Sequence, residues 1–493
     1  MPPQSNRELE TSFTMPRPLS GSRPGRLLLL SLCAIAVWFS GCAVGPNYAR
    51  PSVDAPTSYR GQQDDQPNAP TAKSDPALGD EEWSKVFLDP ALQGLIRAAL
   101  QNNYDVRIAA ERVQEARAQL GITRADQFPT LSGGGNITSQ RDSAAGPIPA
   151  FELTQGALSV SAAWNLDFWG RYRRATEAQR ARLLSQEWAQ RAVISSLVAN
   201  VASGYFQLRE LDLELEISKR TLDSRSESLK LTTMRTEHGI DTMLDQRQAE
   251  QLVYTAGAQV PDLERQIEQE ENALSILLGN NPGAIPRGLR LTEQPHAPEV
   301  PAGLPSALLE RRPDVREAEE NLVAANAEIG VARAAYFPQI SLTGTGGYQS
   351  SALSNLFTGP AGIWNFGGSF VQPIFEGGRL KSNVRLAEAQ KQELLLTYQQ
   401  SIQGAFRDVS NALVAYRKNR EFRIQEEKLT EAARDASQLS EQRFDAGATD
   451  YLEVLTNETN YFSDELTLAQ AQFNELQALV QLYQALGGGW QRQ

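Results

Sequence analysis

Few side chains in this 493-residue chain are of types and at spacings that suit chemistry. Cys42 follows "SG" at the end of an apolar run, "LLLLSLCAIAVWF" from Leu27 to Phe39, with Arg17, Arg23 and Arg26 ahead of it. Such a run is too short to span a bilayer as a helix and has the charge pattern of a secretory signal, assigned to residues 1–41. Small residues directly before a cysteine suit a lipoprotein signal peptidase, so the Cys42 thiol is expected to carry an acyl anchor. Cys33 leaves with the signal, and the lone Cys42 then excludes an internal disulfide and a Cys-rich metal site. Asp245 and Glu453 each lie one turn into a helix that follows a glycine-containing turn, at Gly239 and Gly447. Carboxylates gathered there by symmetry would draw cations, although acids at such places also serve as ordinary solvated residues. The histidines His238 and His296 fall in a turn and in a Pro-rich connection, without neighbours for a metal site or an acid–base pair. "GGGN" and "GGGW" lack the Lys and the strand-to-helix setting of a phosphate loop. No enzyme activity, metal or cofactor is expected.

The elements that would position these groups follow from composition. At 493 residues the chain exceeds one ordinary core, which leaves several domains or an elongated architecture. Charged residues are 22% and hydrophobic ones 41%, a mixture that suits long helices with narrow apolar seams. A net charge of −12 argues against nucleic acid as a partner. Residues 42–88, rich in Pro, Gln, Asp and Ser, have no helical period and are expected to form an extended tether. No later segment reaches transmembrane-helix length, so any crossing of a membrane must use strands.

The chain is also a tandem duplication. Tyr104 to Leu131 aligns with Pro313 to Ile340 at a spacing of 209, with 12 of 28 positions identical. Beyond the Phe-Pro pairs the spacing drops by one, so that Trp169–Arg171 faces Gly377–Arg379. Two repeats are therefore expected, 89–296 and 297–493, each running helix, strands, long helix, turn, helix. Pro129 and Pro338 mark the switch from helix to strand, because proline lacks an amide donor and restricts the residue before it. Alternation such as Leu158, Val160, Ala162, Trp164 against Ser159, Ser161, Ala163, Asn165 predicts strands near 129–140 and 156–168, then near 338–350 and 361–373. A small soluble β-domain would show the same pattern. Four strands cannot close a membrane barrel, whereas three copies would supply twelve. Long helices are expected from about Arg171 to Glu237 and from Arg379 to Ala446, with a 4-3-4-3 seam at Ile194, Val198, Val201, Tyr205 and Leu208 that repeats at Ile402, Phe406, Val409, Leu413 and Tyr416. Asp241 or Thr449 would cap the returning helices.

"CAVGPNYARP", "EEWSKVFLDPALQGLIRAALQNNYDVRIAAERVQEARAQLG", "LLERRPDVREAEENLVAANAEIGVARAAYFPQISLTG", "PIFEGGRL" and "LYQALGGGW" together resemble the outer-membrane factor lipoproteins of tripartite efflux systems, the NodT/OprM group related to TolC. The resemblance spans essentially the whole mature chain. It implies a mainly α fold with a membrane β part: a homotrimer whose shared 12-stranded barrel in the cell outer membrane continues into a long α-helical barrel in the periplasm. It implies a passive exit duct for small toxic compounds, serving a periplasmic adaptor and an inner-membrane pump of RND type. It also implies a closed aperture with acids on the returning helix, where Glu453 matches one position and Thr456 replaces a common Asp. The competing expectation is a lipid-anchored periplasmic coiled-coil scaffold without a pore.

Overall fold

The computed structural model describes residues 43–54, 56, 59–60, 78–144, 150–295 and 305–491. Cys42 and His296 lie outside the described residues, as do parts of the tether and of the first interstrand loop. The first half builds α1 (Trp83–Val86), α2 (Pro90–Asn102), α3 (Tyr104–Ala125), β1 (Thr130–Asp142), β2 (Phe151–Leu166), α4 (Arg171–Glu237) and α5 (Met243–Leu277). The second builds α6 (Pro305–Arg311), α7 (Pro313–Ala334), β3 (Gln339–Ser350), β4 (Gly362–Val371), α8 (Arg379–Asp445) and α9 (Tyr451–Ala485). The duplication reaches helix length: α3 and α7 have 22 residues each, α4 and α8 have 67, and α5 and α9 have 35. A 67-residue helix is about 100 Å long.

Pro129 and Pro338 each fall between a helix and the first residue of a strand. The four strands form one antiparallel sheet in the order β1-β2-β3-β4. β2 begins at Phe151, earlier than the alternation indicates, because its pairing with β1 continues as far as Asp142 opposite Phe151.

The seam side chains Val198, Val201, Tyr205 and Leu208 are buried, as are Ile402, Val409, Leu413 and Tyr416. The main cores lie around the middle of α4 and α8, where α2, α6 and the chain's C-terminal residues pack. Toward the hairpin turns only two small clusters remain, Ile217–Phe462–Ala469 and Ala249–Tyr451–Val454. A wide apolar collar thus holds the mid-section, while the far hairpins are joined by few apolar contacts and are the part most free to slide.

Asp89 pins that collar. It caps α2 by accepting from the Ala91 amide at 2.8 Å, and also accepts from Tyr205 Oη at 2.6 Å, the Leu289 amide at 3.0 Å and Gln294 Nε2 at 3.0 Å. Burial raises the Asp89 pKa, but these donors outweigh it and hold the carboxyl below its ordinary value.

The segment expected to be an extended tether is extended in its described part, and it is docked on the helices. The Val44 amide donates to Trp169 O at 3.0 Å, and Arg174 donates to Asn47 Oδ1 at 2.8 Å. Asn326 Nδ2 donates to Pro46 O at 3.0 Å, and Arg50 pairs with Glu319 at 2.9 Å. Gly45 (φ 106°) presses so closely on Gly330 that a β-carbon there would lie 2.5 Å from the Gly330 α-carbon. Periodicity misses this strap because its bonds are made to the helices of both repeats rather than within itself. Further on, Trp83 and Phe87 belong to the main core.

Candidate functional site: a two-faced sheet and a helical mouth

The strand register sorts side chains by face. One face carries Leu131, Ile137, Leu158, Val160, Trp164, Leu342, Trp364, Phe366 and Phe370, since Val160 lies opposite both Gly133 and Gly346, and Trp364 opposite Gly346. Among the described residues none covers this face: Leu131 is 76% exposed and Trp364 84%. That uncovered surface excludes the small soluble β-domain, whose apolar face would pack on a core. The opposite face is polar and internally bonded, through Ser161–Thr345 at 3.2 Å, Ser341–Ser369 at 2.6 Å and Gln349–Gln155 at 2.8 Å. Where the sheet runs into the long helices, Trp169 stacks on Phe337 with centroids 4.8 Å apart and donates to Pro338 O at 2.8 Å. Apolar outside, polar inside and aromatic at the rim is the arrangement of a membrane strand lining an aqueous passage.

At the other end, α4 and α8 stop at Gly239 (φ 77°) and Gly447 (φ 72°). The Ile240 amide returns to Arg235 O at 2.8 Å and the Ala448 amide to Arg443 O at 2.8 Å, so both turns close the last helical carbonyls. The helix caps fall one residue beyond the expected Asp241 and Thr449. Thr242 forms a capping box with Asp245, and Asp450 accepts from the Glu453 amide at 3.2 Å. Asp241 instead accepts from Arg235 Nε at 2.8 Å, because the glycine turn returns two amides to Arg235 O and delays the helix start.

Asp245 accepts from the Thr242 amide at 2.9 Å and from its hydroxyl at 2.7 Å. Glu453 accepts from the Thr449 hydroxyl and lies 3.5 Å from Arg443 Nη1. Each carboxylate therefore serves its own turn, and within one chain the two are not bonded to each other. The Arg235 guanidinium lies 4.8 Å from the Phe444 ring centroid, which joins the two turns. Met234, Ile240, Met243, Leu244 and Leu452 are exposed around them, an apolar tip on an otherwise polar hairpin.

Between the two hairpins lies a cluster that motif reading misses. A cavity of about 250 Å³ is lined by Arg220, Arg225, Arg434, Glu441, Glu458, Phe462 and Glu465, among others. Arg225 is buried, lies over Phe462 at 4.9 Å and donates to Leu252 O at 3.1 Å, with Nε and Nη2 unpartnered. Burial, with the Glu441 charge, pushes the Glu458 carboxyl up to about 7 against the opposing pull of Arg225. The legible signal was spacing: Val454, Glu458 and Phe462 share one helix face, and Val454 and Phe462 are core residues.

The model of the outer membrane efflux protein family matches this chain twice, over residues 95–280 and 304–488, once per repeat. The chain belongs to the outer membrane efflux protein family. A probable efflux pump outer membrane protein, TtgC of Pseudomonas putida, is 38% identical over 471 residues, 94% of this chain and 96% of that one. The cation efflux system protein CusC of Escherichia coli is 36% identical over 465 residues, 94% of this chain and 99% of its own length. Among solved structures, CusC has a TM-score of 0.81 at 33% identity, covering 91% of this chain and all of that one. The open state of the Neisseria gonorrhoeae MtrE channel has a TM-score of 0.83 at 32% identity, covering 92% and 99%. This outer membrane efflux protein is accordingly a TolC-like efflux channel, and the scaffold without a pore is set aside.

Two outcomes follow from the geometry. Val160→Lys puts a charge on the lipid face, costing about 2–4 kcal/mol near midplane, whereas Ser159→Lys faces the passage. Membrane-inserted, heat-resistant oligomer on gels should be strongly reduced only for Val160→Lys; equal loss for both refutes the assignment of faces. For Glu458, a folded pKa of about 7 above the ordinary 4.5 means the folded chain keeps a proton that the unfolded chain has lost. Its contribution to stability is therefore present at low pH and falls as pH rises through that window. Glu458→Gln should unfold at the same temperature as wild type at pH 4.5 and at a higher one at pH 8.

Proposed function

We propose that the protein is a homotrimeric, passive exit duct of a tripartite pump, carrying small toxic compounds from a periplasmic adaptor and an inner-membrane pump of RND type to the exterior. The observation that carries this reading is a sheet with a bare apolar face and two open edges, β1 and β4, continuous with helices about 100 Å long. Open edges are not tolerated in lipid, so further copies must close the sheet, and three give twelve strands. The apolar tip at Met234, Ile240, Met243, Leu244 and Leu452 suits the adaptor. Relatives of comparable identity are named for antibiotic, toluene and cation efflux, which supports a duct that leaves selection to the pump.

Cys42 is assigned the lipid anchor. The strap beginning at Ala43 is pinned at Trp169, where sheet meets helix, and this supports an anchor at the periplasmic surface of the outer membrane. Asp245 and Glu453 are assigned to the periplasmic aperture. Threefold symmetry would bring three copies of each turn around one axis, and adaptor binding to the open form would bias the hairpins to slide near Gly447.

Purified protein in planar bilayers should conduct with cation preference and divalent block, and Asp245→Ala with Glu453→Ala should weaken both severalfold. No conductance sinks the duct; unchanged selectivity and block in the double variant sink the aperture assignment while leaving the duct intact. Labelled palmitate should enter wild type and not Cys42→Ala, and a wild type without label removes the anchor.

A further inference from the structure

The seam between two copies of this chain is specified by the chain's own internal repeat. Shifting β1 by 209 residues gives β3, and shifting β2 by 208 gives β4, and the observed pairing obeys both shifts: Gly135 opposite Leu158 becomes Gly344 opposite Phe366. Three of the four strand pairings around a repeat unit are thus on hand. The β2–β3 pairing joins the end of one repeat to the start of the next within the chain. Its counterpart, β4 of one copy against β1 of another, is the one junction a single chain does not contain.

We infer that β4 pairs with β1 of a second copy in the register obtained by applying those shifts to β2–β3, so that Ser369 lies opposite Asn136, Asn365 opposite Gln140 and Ile374 opposite Leu131 of the next copy. These pairs derive from Ser161–Thr345, Ala157–Gln349 and Leu166–Ile340. This rests on the channel reading above and adds to it which residues meet.

Side-chain chemistry selects the same register. On the passage face it sets Ser369 against Asn136 and Asn365 against Gln140, both able to hydrogen bond as Ser161 and Thr345 do at 3.2 Å. On the lipid face it sets Phe370 opposite Gly135, Gly368 opposite Ile137 and Phe366 opposite Ser139, each a large residue beside a small one. Within the chain, Val160 opposite Gly346 and Leu158 opposite Gly135 follow that rule. A slip of two residues in one direction brings Phe370 against Ile137; in the other it brings Gly368 against Gly135 and leaves a hole. A slip of one turns every apolar side chain into the passage. The side chains that the register brings together, Ile374 and Leu131, are 95% and 76% exposed in the single chain.

The two kinds of seam differ at the base. Trp169, which stacks on Phe337 and holds the strap inside the chain, is replaced by Gly377 in the second repeat. Phe128, the counterpart of Phe337, is left exposed, and Phe375, two residues before Gly377, is 88% exposed. Three seams closed by the strap and Trp169 would alternate with three that rely on strand register, so assembly is encoded in β1 and β4.

The mature chain offers no cysteine but Cys42, so paired cysteines read the register directly. Asn136→Cys with Ser369→Cys, and separately Gln140→Cys with Asn365→Cys, should oxidise in outer membranes to covalent trimers on non-reducing gels. The expected yield is at least tenfold above the slipped pairs Gly134→Cys with Ser369→Cys and Thr138→Cys with Ser369→Cys. Directly opposed residues lie about 5 Å apart and slipped ones about 7 Å or more, beyond easy disulfide reach. Within one chain β1 and β4 are separated by two strands, roughly 14 Å, so an internal bond cannot mimic the result. Stronger cross-linking of a slipped pair, or no cross-link in a preparation whose mass in detergent is that of a trimer, overturns the register and leaves the channel reading standing. A monomeric mass with no cross-link at any pair overturns both.

Discussion

A strand edge exposed to hydrocarbon leaves amides and carbonyls with no partner, and much of this molecule is arranged around avoiding that state. Four strands in one antiparallel sheet have two such edges, at β1 and β4. The sheet's uncovered apolar face requires lipid, and lipid forbids the edges, so one chain cannot be the finished object. The long helices inherit the consequence. α4 and α8 start directly below the strands, at left-handed glycines, and any closed ring of strands is carried down into a ring of helices.

Stability is distributed unevenly along that length, and the distribution suits a conduit that must open at one end. At mid-height the collar is closed by aromatic and aliphatic packing and by the buried Asp89 carboxylate with its four donors. The strap adds ties between both repeats through Arg174, Asn326 and Glu319. Below, the apolar clusters shrink, and a polar cavity containing Arg225 and Glu458 separates the hairpins. Contacts there are electrostatic and adjustable, whereas those in the collar are dense and resist displacement.

The duplication governs both the shape and its asymmetries. The three long helices of one repeat match those of the other in length, and the strand pairings superimpose. The departures fall where copies would meet or where the N-terminus attaches: Gly377 stands for Trp169, and the strap binds beside Trp169. Equal repeats thus carry unequal junctions, one closed within the chain and one left for a neighbour.

Much of this was legible in the sequence, because period and spacing are local properties. The Phe-Pro switches at Pro129 and Pro338, the alternation around Val160, the 4-3-4-3 seam through Tyr205 and the glycine turns at Gly239 and Gly447 each follow from a short run of residues and backbone stereochemistry. Two features depended on residues distant in sequence, and only the tertiary structure decided them. The docking of the strap left no local signal because its bonds reach helices as far as 280 residues away. Glu458 owes its raised pKa to α4 and α8, whose packing against α9 desolvates it and sets Glu441 beside it. Local pattern specifies the elements and the face each presents; which groups from distant segments come together is a property of packing alone.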